Sequence, residues 1–169
     1  EPGQGWQVGT YTLIFERGML GSPGESERLY RRAVAVLREQ GLLDDPVWRD
    51  RLMQLQGRML SMKYHGHRLV TEQLKQRNPA ISALIVKLVG CQLNYDLCEL
   101  ALDALGERGL LRTGSEHAVD DGQWQKSYMF ALGLIIGGGT AQIQKNIISE
   151  VGLGMPREPK VQKPAGKGA

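Results

Sequence analysis

Apolar positions along the chain recur at helical spacing almost throughout, and strand-like alternation is nearly absent. Residues 1–9 are glycine-rich and read as an incoming loop; from Thr10, Leu13, Ile14 and Arg17 open a helical stretch. Gly18, Gly21, Pro23 and Gly24 predict a kink or break near 18–25. Ser26 is the expected N-cap of the next run, whose apolar face is Leu29, Ala33, Val36 and Leu37, and Gly41 is its stop. Asp44-Asp45-Pro46 marks a helix start, and Trp48, Leu52, Leu55, Met59, Met62, Gly66, Leu69 and Gln73 alternate steps of four and three, a seam for packing. Asn78-Pro79 opens a third long helix with the stripe Ile81, Leu84, Ile85, Leu88, Cys91, Tyr95, Cys98, Leu102 and Leu105. Ala83, Val86 and Val89 make its start apolar on both faces, the mark of a central helix, and Gly106 ends it. Residues 107–121 carry no period and form the longest loop. A fourth helix is predicted over 123–136, then a break at Gly137-Gly138-Gly139-Thr140, then a last amphipathic helix through Ile143, Ile147, Ile148 and Val151. Long amphipathic helices joined by short loops specify an all-α, up-down-up-down four-helix bundle with an additional C-terminal helix.

Composition narrows the function classes. The 169 residues are one domain's worth, with ordinary apolar (41%) and charged (23%) fractions, which excludes wholesale disorder. The longest apolar runs, such as Leu132 to Ile136, are far shorter than the roughly 18 residues a membrane span needs, so no membrane span is expected. Much of the net charge of +3 sits in Arg157, Lys160, Lys163 and Lys167, interleaved with Pro and Gly, so 156–169 reads as a flexible tail. The remainder is close to neutral and lacks the basic face that nucleic acid requires. The opening residues carry no basic segment followed by an apolar one, so no signal peptide is expected, and the start without Met suggests a piece of something longer. Cys91 and Cys98 lie two helical turns apart, about 10 Å, too far for a disulfide; they read as buried thiols of a reducing, cytoplasmic protein.

Two segments could carry chemistry. In Gly137-Gly138-Gly139-Thr140-Ala141-Gln142, three glycines allow close backbone approach to a ligand, and Thr140 caps a helix whose first amides suit an anionic group. A plain helix–helix turn explains the same residues equally well, and no Gly-Lys-Thr or Gly-Lys-Ser follows to make a P-loop. Glu16-Arg17 sits between Leu13-Ile14-Phe15 and Met19-Leu20. A carboxylate among apolar groups suits a proton acceptor near neutral pH, and a surface ion pair is the plainer reading. The rings of His65 and His67 point about 200° apart on a helix, so no metal site is expected. Lys87, inside Ile85-Val86-Lys87-Leu88-Val89, reads as a snorkelling lysine.

The string from Gly137 to Glu150, followed by Leu153-Gly154-Met155-Pro156-Arg157-Glu158, resembles the C-terminal signature of the acyl-CoA dehydrogenase family. Gly3-Gln4-Gly5-Trp6 and Thr12 to Arg17 are similar to that family's passage from its middle β-domain into its C-terminal helical domain. The resemblance implies that 1–9 end the β-domain, that 10–155 form the helical bundle, and that FAD is the cofactor. It implies α,β-dehydrogenation of an acyl-CoA thioester from fatty-acid or steroid side-chain breakdown in a bacterial cytoplasm. Electron-transfer flavoprotein would be the acceptor, and a homo- or hetero-tetramer would form through the bundle. Many family members carry the α-proton base directly before the Gly-Thr of the signature, where this chain has Gly138. Another group, isovaleryl-, long-chain-type and steroid side-chain enzymes, carries it on the first helix of this domain, which makes Glu16 the base. Arg17 and Gly139 then match substrate-lining positions, and Thr140, Ala141 and Gln142 match the helix start that touches FAD.

Departures from the family pattern leave a second reading open. The Arg-x-x-Phe-Gly element that reaches a neighbouring subunit's FAD phosphates is missing between residues 46 and 76, and the Gln-x-x-Gly-Gly element survives only as Asp103, Gly106 and Glu107. A non-catalytic partner subunit or oligomerisation domain, with Glu16-Arg17 a mere ion pair, fits those losses. By itself the stretch is expected to be inactive and colourless, since most of a flavin pocket would lie elsewhere.

Overall fold

The computed structural model describes residues 3–77 and 80–159, apart from the side chains of 13–19, 80 and 81. Among them are six α-helices and no strand: α1 Gly5–Met19, α2 Pro23–Glu39, α3 Pro46–Leu74, α4 Ala80–Leu105, α5 Gln123–Ile136 and α6 Ala141–Ile147. Helices α2 to α5 form the up-down-up-down bundle, and α6 is the additional C-terminal helix, continued by a wider turn over Ile148–Gly152. The predicted start Asn78-Pro79 and residues 160–169 of the tail lie outside the described residues.

Helix α4 is the axis of the fold, packing on α1, α2, α3, α5 and α6. Its burial extends beyond the predicted stripe: Leu93, Leu97, Leu100 and Ala101 are almost wholly enclosed. A helix touched on every side keeps no polar face, so its sequence shows weak amphipathicity. Against it α2 sets Leu29, Ala33, Val36 and Leu37, and α3 sets Leu52, Leu55, Met59 and Met62. Each large side chain so enclosed contributes about 1.5–3 kcal/mol relative to exposure. The α3 seam fades toward its end, where Gln73 is exposed.

Several local stops and starts follow their sequence signals. Asp45 caps α3 by accepting from the Val47 N–H at 2.8 Å and the Trp48 N–H at 3.3 Å, with Pro46 in the first turn. After α2, the Leu42 N–H reaches Leu37 O at 2.9 Å and the Gly41 N–H reaches Arg38 O at 3.1 Å, the paired bonds of a Schellman stop. The loop 107–121 is pinned rather than loose: Arg32 of α2 pairs with Asp120 and stacks 4.6 Å from the ring centre of the buried Trp124.

Two expectations are corrected. Helix α1 begins at Gly5, inside the stretch read as a loop; nothing there breaks a helix, and the Val8 N–H already bonds Gln4 O at 3.1 Å. The hydroxyls of Thr10 and Thr12 donate to Trp6 O and Val8 O, so these threonines sit inside a running helix and do not start one. The cap of α2 is Ser22, whose Oγ accepts from the Glu25 N–H at 3.4 Å, with Pro23 at the first position. Ser26 is one turn into α2, fully buried, and donates to Asn94 Oδ1 of α4 at 2.6 Å.

Candidate functional site

The connection between α5 and α6 is a tight turn of three glycines. The Gly137 N–H closes α5 on Gly133 O at 2.9 Å, and the Gly139 N–H reaches back to Ile136 O at 3.3 Å. Gly138 (φ +65°) and Gly139 (φ +112°) hold backbone conformations that side chains disfavour, so the turn needs glycine here. Thr140 then caps α6 as its sequence position predicts: its Oγ1 accepts from the Ile143 N–H at 3.4 Å, and its carbonyl accepts from the Gln144 N–H at 2.9 Å. Thr140 and Gln142 are exposed, while Gly139 and Ala141 are half-buried. The amides of Ala141 and Gln142 occupy positions for which a helix supplies no acceptor of its own, so this edge suits a polar or anionic group.

Beneath the turn lie two buried polar groups, Gln144, which the sequence did not single out, and Lys87, which it marked as a snorkelling lysine. The Gln144 side chain is fully enclosed; its Nε2 donates to Gly138 O at 2.9 Å, and its Oε1 has no hydrogen-bond partner among the described residues. Lys87 does not snorkel. It is 1% exposed, and its Nζ donates to Ile135 O at 2.7 Å and Gly139 O at 2.6 Å. The correction has a physical reason: a lysine snorkels only where its stem can reach water, and residues 135–139 cover the side of α4 that bears Lys87. The signal was present in the sequence, since Ala83, Leu84, Gly90 and Cys91, three and four residues away on the same helix face, are all non-polar.

A second element converges on the turn. Helix α1 ends at Met19, and Leu20 begins the turn into α2. Leu20 Cδ1 lies 3.8 Å from where a Cβ on Gly137 would stand, so the end of α1 and the glycine turn are in contact. Glu16 and Arg17 belong to the last turn of α1, one helical turn of chain before Leu20; their side chains lie outside the described residues. The chain that follows the Glu16-Arg17 segment thus approaches the glycine turn at Leu20.

The corner at Leu20 opens into a cleft of about 320 Å³ between α2, α4 and α5. Leu20, Leu29, Phe130 and Leu134 give it apolar walls, and Ser22, Glu25, Asn94 and Ser127 gather polar groups. Cys98 lies in its lining, and burial pushes that thiol up to about 12. Burial also raises the Cys91 thiol, opposed in part by the Lys87 charge. Both cysteines are unpaired and buried. Away from this corner, Asp103 pairs with Arg51 at 2.6 Å and Gly106 takes φ +55° at the end of α4. These remnants of the second family element therefore serve the bundle's own structure. His65 bonds Ser82 O at 3.0 Å, while His67 meets the Tyr64 ring edge-on. No helix among the described residues is long and apolar enough to cross a membrane.

Comparisons with known proteins agree with the all-helical fold. The profile described as acyl-CoA dehydrogenase, C-terminal domain, matches residues 3–153. Acyl-CoA dehydrogenase IpdE1 of Mycolicibacterium smegmatis is 36% identical over 163 residues, covering 95% of this chain and 39% of the relative. The IpdE1 of Mycobacterium tuberculosis is 34% identical over 165 residues, 94% of this chain and 40% of its own. The chain thus spans about two fifths of the length of the curated relatives it matches. Among solved structures, one titled Tcur3481-Tcur3483 steroid ACAD superposes with a TM-score of 0.78 at 27% identity, over 91% of this chain and 40% of that one. The ChsE4-ChsE5 complex from Mycobacterium tuberculosis gives 0.74 at 28% identity, over 91% and 42%.

Proposed function

This chain belongs to the acyl-CoA dehydrogenase family, as its C-terminal helical domain, and we propose that it supplies one wall of an FAD-dependent site that dehydrogenates an acyl-CoA thioester. The observation that carries the reading is the contact between the end of α1 and the glycine turn at Leu20 and Gly137. It sets the helix bearing Glu16 beside the turn bearing Gly139 and Thr140.

FAD, when bound, supplies the hydride acceptor for the substrate's β-carbon. The residues present fit such a group: an exposed threonine cap and two helix-start amides offer polar anchoring at the edge of the turn. In this reading Thr140, Ala141 and Gln142 hold the cofactor's polar edge, and Gly139 presents bare backbone to the acyl group. Glu16 receives the α-proton, and Arg17 lines the same pocket. The cleft beneath Leu20 extends the site into the bundle with mostly apolar walls, as an acyl tail requires. Similarity to a protein titled a steroid ACAD makes a steroid-derived acyl-CoA the substrate class to try first, with fatty acyl-CoA second. Electrons would leave to electron-transfer flavoprotein, in a tetrameric cytoplasmic enzyme.

A second reading has its own support. The two solved relatives described above bear paired names, and one is titled a complex, while this chain lacks one cofactor element and has turned Asp103 to an ion pair. In that reading the chain is the non-catalytic partner of a heteromer. The full-length protein bearing Glu16→Gln, assayed with its partner where one exists, separates the two. Loss of roughly 100-fold or more in kcat, with melting temperature and flavin absorbance unchanged, supports Glu16 as base. Undiminished turnover eliminates it and favours the partner role.

A further inference from the structure

We infer that Lys87 is the positioning residue of the glycine turn, its ammonium group locking the carbonyls of Ile135 and Gly139 so that the Thr140 edge is held in one conformation. The inference rests on the reading of that edge as part of the cofactor and substrate site.

Three observations converge. First, Lys87 Nζ donates to Ile135 O at 2.7 Å and Gly139 O at 2.6 Å, two carbonyls on opposite sides of the bend. One cation thereby ties the last turn of α5 to the residue preceding the α6 cap. Second, the side chain is 1% exposed, so these bonds lie in a desolvated setting where a charged donor counts for most. Third, α5 carries no basic residue in its own last turn, and the positive charge that its C-terminal carbonyls favour comes instead from α4. The surrounding turn cannot hold itself: Gly138 and Gly139 have no side chains to pack, and the Gly139 N–H bond to Ile136 O is long at 3.3 Å. Gln144 completes the arrangement by fixing Gly138 O at 2.9 Å, so consecutive carbonyls of the bend are held from below. Thr140 and Gln142 stay exposed above it. A rigid presentation of Gly139 and the α6 amides is what a site built on backbone groups requires, since misplacement of about an ångström costs binding and rate.

The test compares Lys87→Met with Leu97→Ala in the full-length protein, the latter emptying volume in the bundle core away from the turn. Hydrogen exchange of amides 137–144 reads the turn whatever the activity, and flavin titration of the apoprotein reads the site. Lys87→Met is expected to accelerate exchange across 137–144 by roughly tenfold or more and to weaken FAD binding by a similar factor. Leu97→Ala is expected to lower the melting temperature with both readouts as in the wild type. Unchanged exchange in Lys87→Met overturns the inference. So does faster exchange with FAD affinity and kcat intact, which would make Lys87 a packing element only. A wild-type protein that binds no flavin defeats the functional reading instead, and the exchange measurement then decides the role of Lys87 alone. Should Lys87→Met not fold, Lys87→Leu, likewise apolar and without a donor, takes its place with the same outcomes.

Discussion

Gly21 and Gly90 cross backbone against backbone. A Cβ on Gly90 would stand 2.0 Å from the Gly21 carbonyl oxygen, and one on Gly21 would stand 2.7 Å from the Cys91 nitrogen. The turn between α1 and α2 therefore lies directly on α4, with no side chain between them, and Gly21 makes that turn at φ +70°. This crossing fixes the chain next to Leu20, the residue that approaches Gly137 of the glycine turn.

Gly90→Ala should accordingly destabilise the protein by about 3 kcal/mol or more, because backbone on both sides must move. In an exposed helix the same change gains up to about 1 kcal/mol. Gly57 in α3 provides that control, since nothing lies within 4 Å of its added Cβ. Urea denaturation of Gly90→Ala and Gly57→Ala checks the contrast. Equal, small effects would mean that the two backbones are not in contact.

Much of this architecture was legible because the signals are local. The bounds of α5, the Asp45-Pro46 start and the Gly41 stop depend on residues within a turn or two of each other. What escaped depends on partners distant in sequence. Ser26 has every local credential of a cap, and it is buried against Asn94 of α4, 68 residues away. Lys87 is isolated within its own segment and becomes a turn-holding group only when residues 135–139 fold over it. The start of α1 was misplaced for the opposite reason: glycine weakens a helix without forbidding it, and Gly5 and Gly9 are both helical. For the candidate site, Thr140 as a cap followed from sequence alone, whereas the contact between Leu20 and Gly137 is tertiary and had no local mark.

The buried thiol of Cys98 sets an alkaline limit. Burial raises it to about 12, above the ordinary thiol range, so the native state holds its proton after the unfolded chain has released its own. The stability tied to this group is complete below about pH 8.5 and falls as pH rises toward the native value, by at most about 1.4 kcal/mol per pH unit. Cys91, Tyr30 and Tyr95 are shifted the same way and steepen the decline. Urea midpoints between about pH 7 and pH 10.5 should drop, and Cys98→Ala should flatten part of that drop. A thiol reagent at pH 8 should leave Cys98 unmodified until the protein unfolds; rapid labelling of the native state would contradict its burial.

Acid should act from the other side. The Ser82 hydroxyl, donating to Glu72 Oε2 at 2.8 Å, and then Arg68 at 3.0 Å hold the Glu72 carboxyl below its usual range. That link between the end of α3 and the start of α4 contributes above the ordinary carboxylate pKa and is lost as pH falls through the lowered native value. Ser82→Ala should move the acid unfolding midpoint to higher pH, read by far-ultraviolet circular dichroism. No movement would remove Glu72 from the account.

The two serines at the start of α2 give a direct test of which one caps it. Ser22 accepts a long 3.4 Å bond from the Glu25 N–H at a partly wet helix end, so Ser22→Ala should cost about 0.5–1 kcal/mol. Ser26→Ala should cost more, about 2 kcal/mol, because it leaves the buried Asn94 Oδ1 without the donor it meets at 2.6 Å. The excess belongs to the orphaned oxygen and not to the lost bond itself, so replacing both partners by apolar groups should recover part of it. The double variant Ser26→Ala with Asn94→Leu should therefore be more stable than Ser26→Ala alone. If instead Ser26→Ala costs no more than Ser22→Ala, or if removing Asn94 deepens the loss from Ser26→Ala, the Ser26 hydroxyl is not serving Asn94.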